Sequence, residues 1–228
     1  MDGMPGMAFH VRLQRSVLAG AERRALIWMA RRLPLSVTPD HLSELALAAM
    51  FATGASFAAL RLTRWAALGV VAGLAVNWFG DSLDGTLARV RRQERPRFGF
   101  YVDHVIDLAG TAALFAGMAC SGVMSPLVAL ALLASYLLVM AESFLATHAT
   151  ATFRLSFGGF GPTELRLLLA AGALKLLASE SVSLPGIGSV RLFDVGGACA
   201  AAALMAVFFL SAANNARSLS LLEPRPRV

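Results

Sequence analysis

Between residues 42 and 214 the chain alternates long apolar runs with short polar breaks, and the runs have the length of membrane-crossing helices. Residues 42–60 form the first. The second starts at Trp65 and stays apolar through Val76, but its far end carries Asn77, Asp81, Asp84, Arg89, Arg91 and Arg92, so this helix is expected to project beyond the bilayer. Pro96 separates it from a third run, residues 99–118, with Asp103 and Asp107 in its first turns. Residues 126–140 open a fourth, which continues through Glu142 to Thr147. The fifth, residues 164–178, is interrupted by Arg166 and Lys175, and the sixth, residues 194–214, has an alanine-rich centre suited to close helix packing. At about 20 residues per crossing, six spans take about 120 residues and leave no room for a separate soluble domain.

Upstream, over residues 12–29, Val17, Ala21, Ala25 and Trp28 or Met29 recur at three- and four-residue spacing, with Arg12, Arg15, Glu22 and Arg23 on the other side. This predicts an amphipathic helix lying in the membrane interface. Pro34 ends it, and Thr38-Pro39 supplies an N-cap followed by proline at the first helical position. The division that follows is a cytoplasmic N-terminal segment at 1–36, an all-α transmembrane unit of six helices at 37–216, and a cytoplasmic tail at 217–228. No internal repeat is present.

Composition agrees: 57% hydrophobic and 15% charged residues, with mean hydropathy +0.66, exclude both an ordinary soluble domain and a disordered chain. The pI near 10.6 comes from basic side chains scattered between apolar stretches without aromatic interleaving, which suits anionic lipid headgroups and argues against nucleic acid. Cys120 and Cys199 lie in apolar surroundings without CxxC spacing and read as packing residues. The apolar stretch at 25–30 is bracketed by Arg23, Arg24, Arg31 and Arg32 and does not read as a signal peptide. With the N-terminus inside, sixteen Lys and Arg fall on the cytoplasmic side and only Arg61, Arg64, Lys175 and Arg191 on the other. That bias predicts both termini in the cytoplasm of a cell (inner) membrane protein, with the aspartate-bearing ends of helices two and three facing the same way.

Those aspartates are the chemical signal. Asp81 and Asp84 are three apart, and Asp103 and Asp107 four apart, so each pair shares a helix face. An antiparallel turn brings the pairs together, and four carboxylates in one cleft need cations to stay ionised. An all-oxygen set suits Mg²⁺ or Mn²⁺, and four acids suggest two ions. The plainer alternative is a set of solvated acids pairing with Arg89, Arg91 and Arg92. The regular spacing, with Gly85 and Ala88 leaving little bulk beside the carboxylates, argues against it, and Arg89 is placed to bind an anion such as a pyrophosphate.

The run Asp81-x2-Asp84-Gly85-x2-Ala88-Arg89, nine further residues, then Gly99-x3-Asp103-x3-Asp107 resembles the signature of the CDP-alcohol phosphotransferase (CDP-alcohol phosphatidyltransferase) family in every fixed position. The six-span topology is also similar. Thr38-Pro39-Asp40 resembles a family element that commonly has Asn where Asp40 stands. The resemblance implies transfer of a phosphate-linked group from a CDP-alcohol to a second alcohol with release of CMP, divalent metal dependence, and a homodimer. Carried onto this chain, it makes Asp81, Asp84 and Asp103 metal ligands and Asp107 the general base with a metal role as well. Gly85, Ala88, Arg89 and Gly99 would cradle the cytidine diphosphate.

The acceptor is less marked. Glu142, His148, Arg154 and Glu164, the last in a Gly-Pro-Thr-Glu run, resemble the corresponding region of choline and ethanolamine phosphotransferases, and the alternative this implies is an enzyme of that type with a CDP-amino-alcohol donor. Arg154 and Arg166 would instead suit a phosphorylated acceptor. Chain size and a presumed bacterial setting favour CDP-diacylglycerol as donor and a role in phospholipid synthesis. The reading from a different class is a non-enzymatic cation transporter whose aspartates line a permeation path.

Overall fold

A computed structural model describes residues 19–150, 162–186 and 188–223. The described residues form seven helices and one short hairpin: α1 (Ala19–Ala30), α2 (Pro39–Ala59), α3 (Ala66–Arg91), α4 (Pro96–Cys120), α5 (Pro126–Thr150), α6 (Pro162–Leu176), β1 (Ser181–Leu184), β2 (Gly188–Arg191) and α7 (Leu192–Leu222). Five of them, α2, α3, α4, α5 and α7, are long and apolar enough to cross a membrane. The fifth expected span is α6, whose 15 residues make about 22 Å against a hydrocarbon core of about 30 Å. The hairpin between α6 and α7 was not anticipated; it pairs Ser181 with Arg191 and Leu184 with Gly188.

Contacts at the helix ends show how the chain winds. Arg166, near the start of α6, bonds Asp81 in the C-terminal half of α3, while Leu177, just past the end of α6, accepts a bond from Arg64, just before α3. α6 therefore runs antiparallel to α3 along most of its length. At the Arg64 end, Phe193 of α7 meets Phe57 of α2 edge to face at 5.5 Å, and at the other end Ser211 and Asn215 of α7 reach Glu142 of α5. From α2 to α7, successive helices alternate in direction, and α7 returns toward the aspartate end.

Local signals set the boundaries. Thr38 caps α2 in a capping box with His41, and Pro39 occupies the first turn, as the sequence predicts. α3 stops where Arg92 takes a left-handed conformation (φ 56°), with the Gln93 amide donating back to the Ala88 carbonyl. Pro96 then starts α4, so only a few residues separate the two halves of the aspartate motif.

Between lipid-bathed helices there is little hydrophobic gain from association, so close backbone approach matters most. Glycines supply it around α2. A Cβ on Gly117 of α4 would lie 2.0 Å from the Gly54 carbonyl oxygen, and one on Gly80 of α3 would lie 2.6 Å from that of Leu42. Tight backbone approach thus falls on α2, α3 and α4; on α7, Gly197 and Ala201 are buried, with Gly197 close against the Met124 and Val128 side chains, while Ala198, Ala202 and Ala203 are exposed. Cys120 and Cys199 are free and also sit on exposed faces, not in the packed interior.

Buried apolar side chains gather in two clusters. The larger joins Phe57, Val70, Leu74, Leu114, Met118, Met124, Leu176 and Phe193 at the end away from the aspartates. The smaller joins Leu26 and Ala30 of α1 to Leu42, Leu83 and Leu87 at the aspartate end. Arg91 locks the stretch after α1 by donating to the carbonyls of Leu33, Pro34 and Val37. Of the expected interfacial helix, residues 19–30 are helical and residues 12–18 lie outside the described residues.

Candidate active site

The tight α3–α4 reversal sets the motif's two halves side by side. Asp81, Asp103 and Asp107 each offer a carboxylate oxygen, all within 4.8 Å of one another, and all three residues are half-buried. Opposite ligands around one Mg²⁺ lie about 4 Å apart, so a hard divalent cation fits this oxygen-only set with small side-chain movement. Asp84 lies one turn on, within electrostatic reach of Asp81 and Asp103, but its oxygens are engaged elsewhere. One accepts from Ser43 Oγ of α2 at 2.6 Å, the other from the amide of Gly85. Like charge crowded into this space is offset by Arg166, whose guanidinium donates to Asp81 Oδ2 at 2.6 Å.

The face beside the acids is bare. Among the described residues, nothing lies within 4 Å of a Cβ built on Gly99, and one on Gly85 would meet only the guanidinium of Arg89 at 3.5 Å. Arg89 donates to Thr86 Oγ1 at 3.2 Å, so its charge lies along the face that Gly85 leaves open. Ala88 is half-buried on the same helix. Packing among the described residues requires neither glycine; both leave room for a ligand to approach backbone.

A family model described as CDP-alcohol phosphatidyltransferase matches residues 36–214. The chain belongs to that family. As a CDP-alcohol phosphatidyltransferase family member it is a transferase by class, carries five helices long and apolar enough to cross a membrane, and places an aspartate cluster able to bind metal where the motif lies. Such proteins act in phospholipid synthesis, using CDP-alcohol donors and alcohol acceptors, and typically depend on divalent metal. No curated protein matches the chain.

Of the expected acceptor residues, Glu142 and His148 lie on α5 and Glu164 and Arg166 on α6. Arg166 joins the aspartates, and Glu164 lies half-buried two residues earlier on α6. Glu142 is buried on α5, with one oxygen accepting from Ser211 Oγ at 2.8 Å and the other from Asn215 Nδ2 at 2.7 Å. His148 is exposed near the end of α5, and Arg154 lies outside the described residues. Asp40 pairs with Arg95 in the α3–α4 turn.

Three residues near the site were not picked out from the sequence. Ser43 holds Asp84; it follows Pro39 by one helical turn, which is its only sequence signal. Tyr136 of α5 hydrogen-bonds the Thr111 side chain within electrostatic reach of Asp107, Asp81 and Arg166. His104 keeps Nδ1 2.7 Å from the Phe100 carbonyl oxygen and 3.9 Å from Asp103 Oδ2, stacks on the Phe100 ring at 4.2 Å and meets Phe144 of α5 edge to face. It anchors α4 to α5 next to the motif.

Proposed function

We propose that this protein transfers a phosphatidyl group from CDP-diacylglycerol to an alcohol acceptor, releasing CMP, at a site on the cytoplasmic side of a six-crossing membrane bundle. The observation that carries the reading is the convergence of Asp81, Asp103 and Asp107 beside a helix face left open at Gly85 and Gly99. Asp81, Asp84, Asp103 and Asp107 are the residues that would hold Mg²⁺ or Mn²⁺, two ions in this reading. Bound there, such ions offset negative charge on the pyrophosphate.

The chain's own groups account for the remaining steps. The diphosphate lies against backbone at Gly85 and Gly99, past the small Ala88, and Arg89 pairs with its oxygens. Asp107 takes the proton of the acceptor hydroxyl as that oxygen attacks the phosphorus attached to the diacylglycerol. The bond from this phosphorus to the CMP oxygen breaks, and CMP leaves with the electron pair. Arg166, already at the cluster, supports an acceptor that carries a phosphate; the choline/ethanolamine-type alternative, with a CDP-amino-alcohol donor, has less support, because both oxygens of Glu142 already accept bonds from α7. Arg154, Glu164 and His148 remain further candidates around the acceptor.

Purified protein given radiolabelled CDP-diacylglycerol, Mn²⁺ and a panel of phosphorylated, neutral and amino alcohols tests the proposal. Acceptor-dependent CMP release supports it. Metal flux in proteoliposomes without CMP release would replace it with a cation transporter.

A further inference from the structure

The amphipathic pattern of residues 12–29 puts Glu22 on the polar side of its helix. In the structure that side chain turns inward. A single oxygen, Oε1, accepts from Trp78 Nε1 of α3 at 2.8 Å and from Thr163 Oγ1 of α6 at 2.9 Å. Three helices therefore meet at one atom.

The helix that contributes Glu22 is fixed. Leu26 and Ala30 are buried against Leu42, Leu83 and Leu87, and Arg91 holds the stretch that follows. α6, which donates through Thr163, is not fixed by buried apolar side chains of its own at this end among the described residues. The buried residues of α6, Ala173 and Leu176, lie in its C-terminal half, while Leu165, Leu167 and Leu168 are exposed. The position of its first turns then depends on polar ties, and those turns carry Arg166, one helical turn from Thr163.

We propose that Glu22 is a positioning residue: from α1 it ties the first turn of α6 to α3 and so holds Arg166 at the aspartate cluster. Glu22 touches no reacting group. It makes the interfacial helix part of the site's framework, and the consequence for acceptor binding rests on the transferase reading above.

The test has two arms. In a cysteine-free background, spin labels at Arg24 of α1 and Leu167 of α6, both exposed, report the distance between the helices without any substrate. The native side chain and Glu22→Gln should give one narrow distribution, because an amide oxygen can accept from both donors. Glu22→Ala and Thr163→Val should broaden it. In the kinetic arm, Glu22→Ala and Thr163→Val should each raise acceptor KM roughly ten-fold, the scale of one charge-assisted hydrogen bond, with donor KM changed less than about two-fold. Glu22→Gln should restore acceptor KM, and the double variant should be no worse than Glu22→Ala alone.

A narrow distribution in Glu22→Ala and Thr163→Val overturns the inference. So does Glu22→Gln as impaired as Glu22→Ala, or a broadened distance with unchanged acceptor KM in an enzyme that turns over. Wild-type protein that releases no CMP with any acceptor defeats the transferase reading instead, and the distance arm then decides the tie between α1 and α6. Should Glu22→Ala not fold, Thr163→Val and Trp78→Phe carry the same comparison.

Discussion

Gly85 and Gly117 are both helical glycines, yet they are glycine for opposite reasons. A Cβ on Gly117 would be driven into the Gly54 carbonyl, whereas one on Gly85 meets only the movable end of Arg89. Gly85→Val should therefore leave the unfolding temperature in detergent essentially unchanged while raising donor KM at least about ten-fold, as expected when a close backbone approach to phosphate is blocked. Loss of stability with normal donor KM would show that the open face serves packing. Arg166→Ala should raise acceptor KM by the equivalent of about 1.5–3 kcal/mol if the acceptor carries a phosphate, with a smaller effect on donor KM. Unchanged acceptor KM would shift attention to an uncharged or zwitterionic acceptor. The motif residues were readable from the sequence because their spacing is short and local. Ser43, Tyr136 and the inward turn of Glu22 were not, because each is defined by a partner 41 residues away in the case of Ser43 and 141 away for Glu22 and Thr163.

Among elements, α2 is the post around which α3 and α4 are laid, and small residues set the distance. Gly117→Val should lower stability by about 1–3 kcal/mol or more, since an added side chain must push two backbones apart. Thermal unfolding in detergent reads this; an unchanged midpoint would mean that α2 and α4 do not cross at Gly54 and Gly117. Five spans were legible as apolar runs near 20 residues, and the caps at Thr38 and Pro39 and the break at Pro96 were legible as local chemistry. α6 was harder to read because two charges interrupt it, and one of them, Arg166, is there to face the acids. The hairpin escaped notice because Ser-Val-Ser-Leu is too short an alternation to stand out between two apolar helices.

For the whole molecule, direction matters more than hydropathy alone. α6 is short, but its ends meet Arg64, just before α3, and Asp81, in the C-terminal half of α3, so it follows α3 over much of its length. Five helices are long and apolar enough to cross, and the proposal of six crossings with both termini and the aspartates in the cytoplasm rests on counting α6 as the sixth and on the bias of Lys and Arg. A single cysteine at Arg95 in the α3–α4 turn should resist membrane-impermeant thiol reagents in intact cells, and one at Leu62, between α2 and α3, should label readily. The reverse pattern would invert the topology.

The central claim is that the aspartates form a metal-assisted transfer site in which Asp107 takes the proton. Asp107→Asn keeps an oxygen for coordination but cannot serve as a base, whereas Asp81→Asn removes charge from a carboxylate in the three-acid cluster. Titration calorimetry of the CDP-alcohol with and without Mn²⁺, run beside CMP-release rates on the same samples, separates the two roles. Asp107→Asn should retain Mn²⁺-dependent donor binding while turnover falls roughly 10²- to 10⁴-fold, and Asp81→Asn should weaken both. Near-normal turnover in Asp107→Asn, or donor binding indifferent to Mn²⁺ in the unmodified protein, would contradict the account.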